Sequence, residues 1–337
     1  MSAPPTLERT AAGPPPAGPP VGAGLAGNRR TLADRAFKLA ALASGLSVLV
    51  ILVLIAVSTA HKASPAFRHE GLGFVTGSRW APNVDVFGAL AFISGTMLVS
   101  AIALAFAVPV SVGIALYLSE LAPRRLRQLV IYVIDLLAAV PSVVFGLWGI
   151  VVLGPWIVRV YAWVADLVDP VPVLNVLFGK PVTGRSFFTA GLILALMITP
   201  IITSLTREVF DTVPAGQKEG ALALGATRWE MIRGAIFPHS RSGMIGAVML
   251  GLGRAMGETI AAALVIGSSA KLTAHLFGSG DAMAAVIANQ FGESGGLHRS
   301  ALIAMGVVLF GMTIVVNMVA RAVVGRSPST TPIRGRR

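Results

Sequence analysis

Long apolar stretches alternate along this chain with short segments that collect most of its charge. The stretches cover residues 39–60, 86–119, 129–158, 186–206, 242–270 and 300–320. Soluble core helices rarely run near 20 residues without a charge, whereas a helix crossing a bilayer needs about that many. The pattern predicts an all-α integral membrane protein with six transmembrane helices. The second stretch would be about 51 Å long as a helix, too long for one straight span and too short for two. Its span is placed at 93–118, bent at Pro109, with 86–92 at the outer interface. Pro141 and Pro200 lie inside the third and fourth stretches, where neighbouring helices can satisfy the freed carbonyls.

Charge placement orients the spans. Eighteen of the 27 Lys and Arg residues fall on one side if the N-terminus is cytoplasmic, eight fall outside, and Arg254 alone lies within a span. Basic residues gather on the cytoplasmic side, so both termini are expected there. The same bias accounts for the net charge of +12 without nucleic acid as a partner. Residues 1–36, rich in proline and glycine, read as a disordered cytoplasmic tail. Residues 37–325 form the transmembrane domain, with a prominent inner loop at 210–240, and 326–337 a basic tail. Trp80, Trp156, Tyr161 and Trp163 suit an outer aromatic belt.

Composition narrows the chemistry. Of 337 residues, 55% are hydrophobic and 12% charged, against about 25% charged in soluble domains. There is no cysteine, which excludes disulfides and thiol chemistry. His61, His69, His239, His275 and His298 show no metal-ligand spacing, and none falls in the six stretches. An intramembrane protease therefore lacks its constellation. Asp135 in the third stretch is expected to pair with an inner basic residue such as Arg124. No phosphate-binding loop of the G-x4-G-K-[ST] form occurs, so the chain cannot hydrolyse ATP by itself.

Two segments carry candidate chemistry. The inner loop reads as two short helices with a break. Pro214 opens the first and Gly225 closes it, while Thr227 and Glu230 form a T-x-x-E capping box for the second. Ala221, Leu222 and Leu224, then Trp229, Ile232 and Ile236, are expected to give each piece a buried side. In span five, Arg254 lies about 20 Å along the helix from Arg241, at hydrocarbon depth, where a charge is costly. Glu258 is four residues on and should share its face. Gly251, Gly253 and Gly257 would permit close helix approach. Two readings follow: a self-neutralising ion pair that fixes packing, or an anion site in which the arginine fork meets an oxyanion and the carboxylate accepts a hydrogen bond from a protonated oxygen of that anion.

The loop resembles the E-A-A-x3-G signature of ABC importer permeases and its I-x-L-P ending. Glu219, Ala221, Gly225 and Pro238 match, Ile236 is read as the Ile, and Gly220 and Phe237 replace Ala and Leu. The 253–259 run, Gly-Arg-Ala-Met-Gly-Glu-Thr, resembles the G-R-A-x-G-E-T of phosphate importer permeases. Residues 141–149 are similar to the P-S-V-V-x-G-L-W-G run of the larger, PstC-type subunit, and 206–209 with Val213-Pro214 is similar too. The resemblance spans about 37–325 and implies a MetI-like, type I importer fold in a bacterial cytoplasmic membrane. It implies phosphate as cargo, with sulfate or molybdate as the alternative. Arg254 and Glu258 would contact substrate. Glu219, Gly220, Ala221, Gly225, Arg228, Trp229 and Pro238 would couple to an ATPase. The implied partners are a PstA-type permease, a pair of PstB-type ATPases holding ATP and magnesium, and a PstS-type binding protein. No cofactor is expected in this chain.

Overall fold

The computed structural model describes residues 32–171, 175, 177–179, 183–273 and 275–325. Most of the proline-rich tail, through residue 31, and the basic tail 326–337 lie outside the described residues. In chain order the helices are α1 (Leu32–Glu70), α2 (Gly73–Thr76), α3 (Leu90–Leu116), α4 (Arg124–Ala139), α5 (Ser142–Trp148), α6 (Gly154–Val168), α7 (Phe187–Asp211), α8 (Ala215–Ala223), α9 (Arg228–Met231), α10 (Phe237–Gly257), α11 (Ile260–Val265), α12 (Met283–Gln290) and α13 (Gly296–Gly325). Strands β1 (Trp80–Ala81) and β2 (Val86–Phe87) form a small antiparallel hairpin. Among the described residues, five helices are long and apolar enough to cross a membrane: 34–70, 90–121, 142–168, 187–211 and 296–322. These helices run past the apolar stretches and take in His61, His69 and His298.

The chain divides into residues 1–56 and 57–337. In the first unit, the side chains of 34–56 are all exposed on the helix. The second unit is organised on α7, the best buried of the candidate spans. Ile193, Ile198 and Ile202 on α7 are almost wholly buried against Ala103 and Ala107 of α3 and Ala247 of α10. Close approach is built into the sequence here. A Cβ at Gly191 would strike Ile102, and one at Gly251 would lie within 2.7 Å of Ile202. Beside Pro200, Ser111 Oγ of α3 donates to the Thr199 carbonyl at 3.1 Å, a hydrogen bond that links the two helices.

Two of the expected continuous spans are broken. The third starts at Ser142 rather than 129. Val140 is extended ahead of Pro141, as residues before proline are, and this separates α4 from α5. Helix α4 lies against α7, and Val133 and Leu137 share a cavity with Gly113 and Tyr117 at the end of α3 and with Leu196 and Pro200 of α7. Helices α5 and α6, joined by a π turn at Gly149–Leu153, continue outward. Tyr161 of α6 bonds to Thr189 at 2.8 Å and stacks on Phe277 at 4.1 Å. Tyr161 is therefore a packed core residue and Trp80 is half-buried, while Trp156 and Trp163 remain exposed. The fifth span is broken at Glu258-Thr259, between α10 and α11.

On the outer side, the segment 266–282 returns across the helix ends. Its backbone bonds to the ends of α7 and α11: Phe187 N to Gly278 O at 3.1 Å, Phe188 N to Leu276 O at 3.0 Å and Gly280 N to Ile266 O at 3.1 Å. Gly95 of α3 sits directly against the Asp281 carbonyl, and Gly280 against the Phe187 ring. A second outer cluster joins Ala63 and Ala66 of α1 to Phe87, Phe92, Val286 and Leu302.

Candidate functional site

The inner loop folds as two short helices. Pro214 precedes α8, and Gly225 adopts φ +84° just beyond it, a left-handed conformation that glycine takes at little cost. The capping box is present. Thr227 Oγ1 accepts from Glu230 N at 3.3 Å, and Glu230 Oε2 accepts from Thr227 N at 2.8 Å. The Thr227 amide, then its hydroxyl, hold the Glu230 carboxyl below its ordinary range. Counted from Glu219, the signature's Ile position falls on Ala235, one residue before Ile236.

The loop buries less than its pattern suggested. Ile232 and Ile236 are buried with Phe210, Val213 and Ala115. Leu222 is 45% exposed, Trp229 60% and Leu224 90%. Each piece therefore packs inward through few residues and presents large apolar side chains outward. Glu219, Gly220, Gly225, Arg228 and Pro238 are exposed as well, and Ala221 is half-buried.

Two ion pairs tie this elbow and its neighbours to the spans. Lys218 of α8 meets Glu120 at 2.5 Å, in the π turn Tyr117–Leu121 that ends the second span, and both groups are largely buried. Arg127 of α4 meets Asp211 at the end of α7 at 3.0 Å. Neither pair was evident in the sequence, because their members lie 98 and 84 residues apart. The expected Asp135–Arg124 pair does not form. Asp135 is exposed on α4 and makes no ion pair among the described residues.

The structure separates the charged pair of span five. Helix α10 ends at Gly257, and Glu258 is extended at ψ 129°. Helical i, i+4 geometry is lost between Arg254 and Glu258, and no ion pair joins them among the described residues. The self-neutralising reading fails for this reason. Glu258 Oε1 instead accepts from Ala261 N at 3.3 Å and caps α11. Arg254 is exposed on α10 and opens onto a groove of about 870 Å³ between α10 and α13. The glycines also divide. Gly251 packs against α7, whereas a Cβ at Gly253 or Gly257 would meet nothing within 4 Å, so these two leave room rather than permit close approach.

Residues 107–327 match the family model described as binding-protein-dependent transport system inner membrane component. Curated relatives agree. The phosphate transport system permease protein PstC of Mesorhizobium japonicum is 41% identical over 305 residues, covering 90% of this chain and 93% of the relative. Its counterpart in Xylella fastidiosa strain Temecula1 is 43% identical over 294 residues, 87% of this chain and 91% of the relative. The Haemophilus influenzae protein is 40% identical over 302 residues, 89% and 96%. In fold, the chain is similar to a chain of a bacterial alginate ABC transporter, with a TM-score of 0.57 at 16% identity over 87% of this chain and 96% of that one. On these matches the chain belongs to the binding-protein-dependent transport system inner membrane components, as a multi-pass permease of the PstC family.

Proposed function

We propose that this chain forms, with a second permease, the path by which phosphate crosses the cytoplasmic membrane in an ATP-driven importer, and that Arg254 is its cationic contact. The observation that carries the role of Arg254 is its setting: an exposed guanidinium on α10, facing an open groove, with no acidic partner among the described residues. Such a charge is costly in the membrane unless an anion passes beside it, and the planar fork suits an oxyanion. Glu258 shapes the site from the break between α10 and α11.

ATP and magnesium are held by separate ATPase subunits, which engage the exposed faces of α8 and α9 around Leu224 and Trp229. Their movement reaches the path through the Lys218–Glu120 pair and through the continuous run from α9 into α10. An extracytoplasmic binding protein delivers phosphate to the outer face. This chain is a transport permease, not an enzyme.

The test is Arg254→Ala in the assembled importer, reconstituted into vesicles with ATP inside the cytoplasmic-facing compartment. Phosphate uptake should fall at least about tenfold, which is roughly 1.4 kcal/mol of lost stabilisation, while the ATPase subunits still co-purify. Excess sulfate should not compete with uptake. Normal uptake by the variant removes Arg254 from the path, and sulfate competition replaces phosphate with a broader oxyanion cargo.

A further inference from the structure

The groove that Arg254 heads continues toward the cytoplasm. On α10 it is lined by Ser242, Ile245, Gly246, Met249, Gly253 and Arg254, residues that recur three and four apart and so form one stripe about 18 Å long. Across from them α13 supplies Asn317, Ala320 and Arg321. Arg321 is 25 residues beyond the start of α13 at Gly296, about 38 Å along the helix, past the roughly 30 Å of hydrocarbon and thus at the inner interface. Asn317 is one turn deeper, among Ile314, Val315, Val316, Met318 and Val319, where a side-chain amide is out of keeping with its neighbours.

The groove is hollow by sequence. A Cβ at Gly246 or Gly253 would meet nothing within 4 Å, while one at Gly243 or Gly251 on the same helix would lie 2.6 Å from Val209 or Ile202 of α7. Glycine is thus needed for packing on the α7 side and merely leaves space on the groove side. Two arginines line this space, no carboxylate does, and neither arginine is in an ion pair among the described residues.

We propose that Arg321 and Asn317 form a second phosphate-binding subsite at the inner end of this groove, downstream of Arg254. The guanidinium and the Asn317 amide supply donors to the phosphate oxygens. The proposal rests on the role of Arg254 given above. An inner-face anchor alone would also place a basic residue at 321, but it requires neither Asn317 nor a groove shared with Arg254. The phosphate group belongs either to the transported ion or to an anionic lipid headgroup entering from the inner leaflet.

Arg321→Gln, Arg321→Lys, Asn317→Leu and Gly246→Leu would each be assembled with the partner subunits and reconstituted twice: in phosphatidylcholine vesicles, and in vesicles that also contain phosphatidylglycerol. Phosphate uptake and retention of the second permease would be measured in both. Arg321→Gln, Asn317→Leu and Gly246→Leu should lower uptake at least about fivefold with the complex intact, and Arg321→Lys should recover part of it. Loss in both vesicle types places transported phosphate at the subsite. Loss confined to vesicles with phosphatidylglycerol places a lipid phosphate there. Unchanged uptake for Arg321→Gln in both, or release of the second permease by Gly246→Leu, overturns the subsite. Arg254→Ala run alongside separates the two ideas: if it transports normally, the role of Arg254 fails whatever Arg321 does. If it is defective while Arg321→Gln is normal, only the subsite fails.

Discussion

The outer strap at 266–282 and the inner elbow at 214–236 are both connectors between spans, and they are finished to opposite degrees. The strap buries Phe277, Asp281 and Ala282 and hydrogen-bonds its backbone to the ends of α7 and α11. The elbow leaves Leu222, Leu224 and Trp229 in the open. Its glycines differ in the same sense: a Cβ at Gly216, Gly220, Gly225 or Gly234 would meet nothing within 4 Å, while Gly280 has the Phe187 ring in the way. An exposed cluster of large apolar side chains marks an interaction site. The strap is covered by this chain itself, whereas the large apolar side chains of the elbow are left uncovered by it.

The largest expected effect tests the closed side. Gly280→Leu would drive a side chain into the space of Phe187, and overpacking of a tight site costs about 1–3 kcal/mol or more. The variant should accumulate poorly in membranes and melt earlier in detergent. Gly220→Ala on the elbow should match or slightly exceed the parent, because alanine is favoured over glycine in a helix. Equal loss for both would erase the contrast.

Asp281 sharpens the contrast through pH. Burial raises its pKa from 3.8 to about 6, and the bond from the Ala282 amide opposes this only in part. The folded state then binds the proton more tightly than the unfolded state. Stability is fully supported below the unfolded value and is lost as pH rises through about 6, at a cost on the order of 3 kcal/mol. Asp281→Asn keeps the acceptor for Ala282 and removes the charge, so it should raise the melting temperature at pH 7.5 and leave it nearly unchanged at pH 4. A variant that melts no higher at pH 7.5 would show that the strap admits water at Asp281.

On the elbow, Trp229→Ala should leave the melting temperature nearly unchanged and cost about 2 kcal/mol in the grip of the ATPase, as large aromatic anchors at interfaces do. The readout is the fraction of ATPase subunit retained on purification through this chain. Full retention would mean that Trp229 faces lipid or solvent, not a motor.

Much of this arrangement was legible in advance, and the failures share a cause. The caps at Pro214, Gly225 and Thr227-Glu230 are local, so spacing alone located them. The breaks at Pro141 and Glu258-Thr259 were missed because hydropathy reads on through a break that lasts one or two residues. The separation of Arg254 from Glu258 followed from that miss, since helical spacing predicts a shared face only where the helix continues. The Lys218–Glu120 and Arg127–Asp211 pairs depend on how distant helices pack, and nothing local announces them. Leu222, Leu224 and Trp229 were expected to be buried because periodicity shows which residues share a face and not whether this chain or another covers it.

The smallest effect lies in the cap itself. Thr227→Ala removes the acceptor for Glu230 N and should cost about 1 kcal/mol locally. Glu230 is held below its ordinary pKa by Thr227, so its share of the cap is present above its unfolded value and is lost as pH falls through the lowered folded one. Hydrogen exchange should rise at 228–231 in Thr227→Ala near neutral pH and rise in the parent only under acid, while the strap at 266–282 stays protected in both. Were exchange to rise in the strap as well, the two connectors would unfold as one unit, and the independence of the covered strap from the uncovered elbow would be lost.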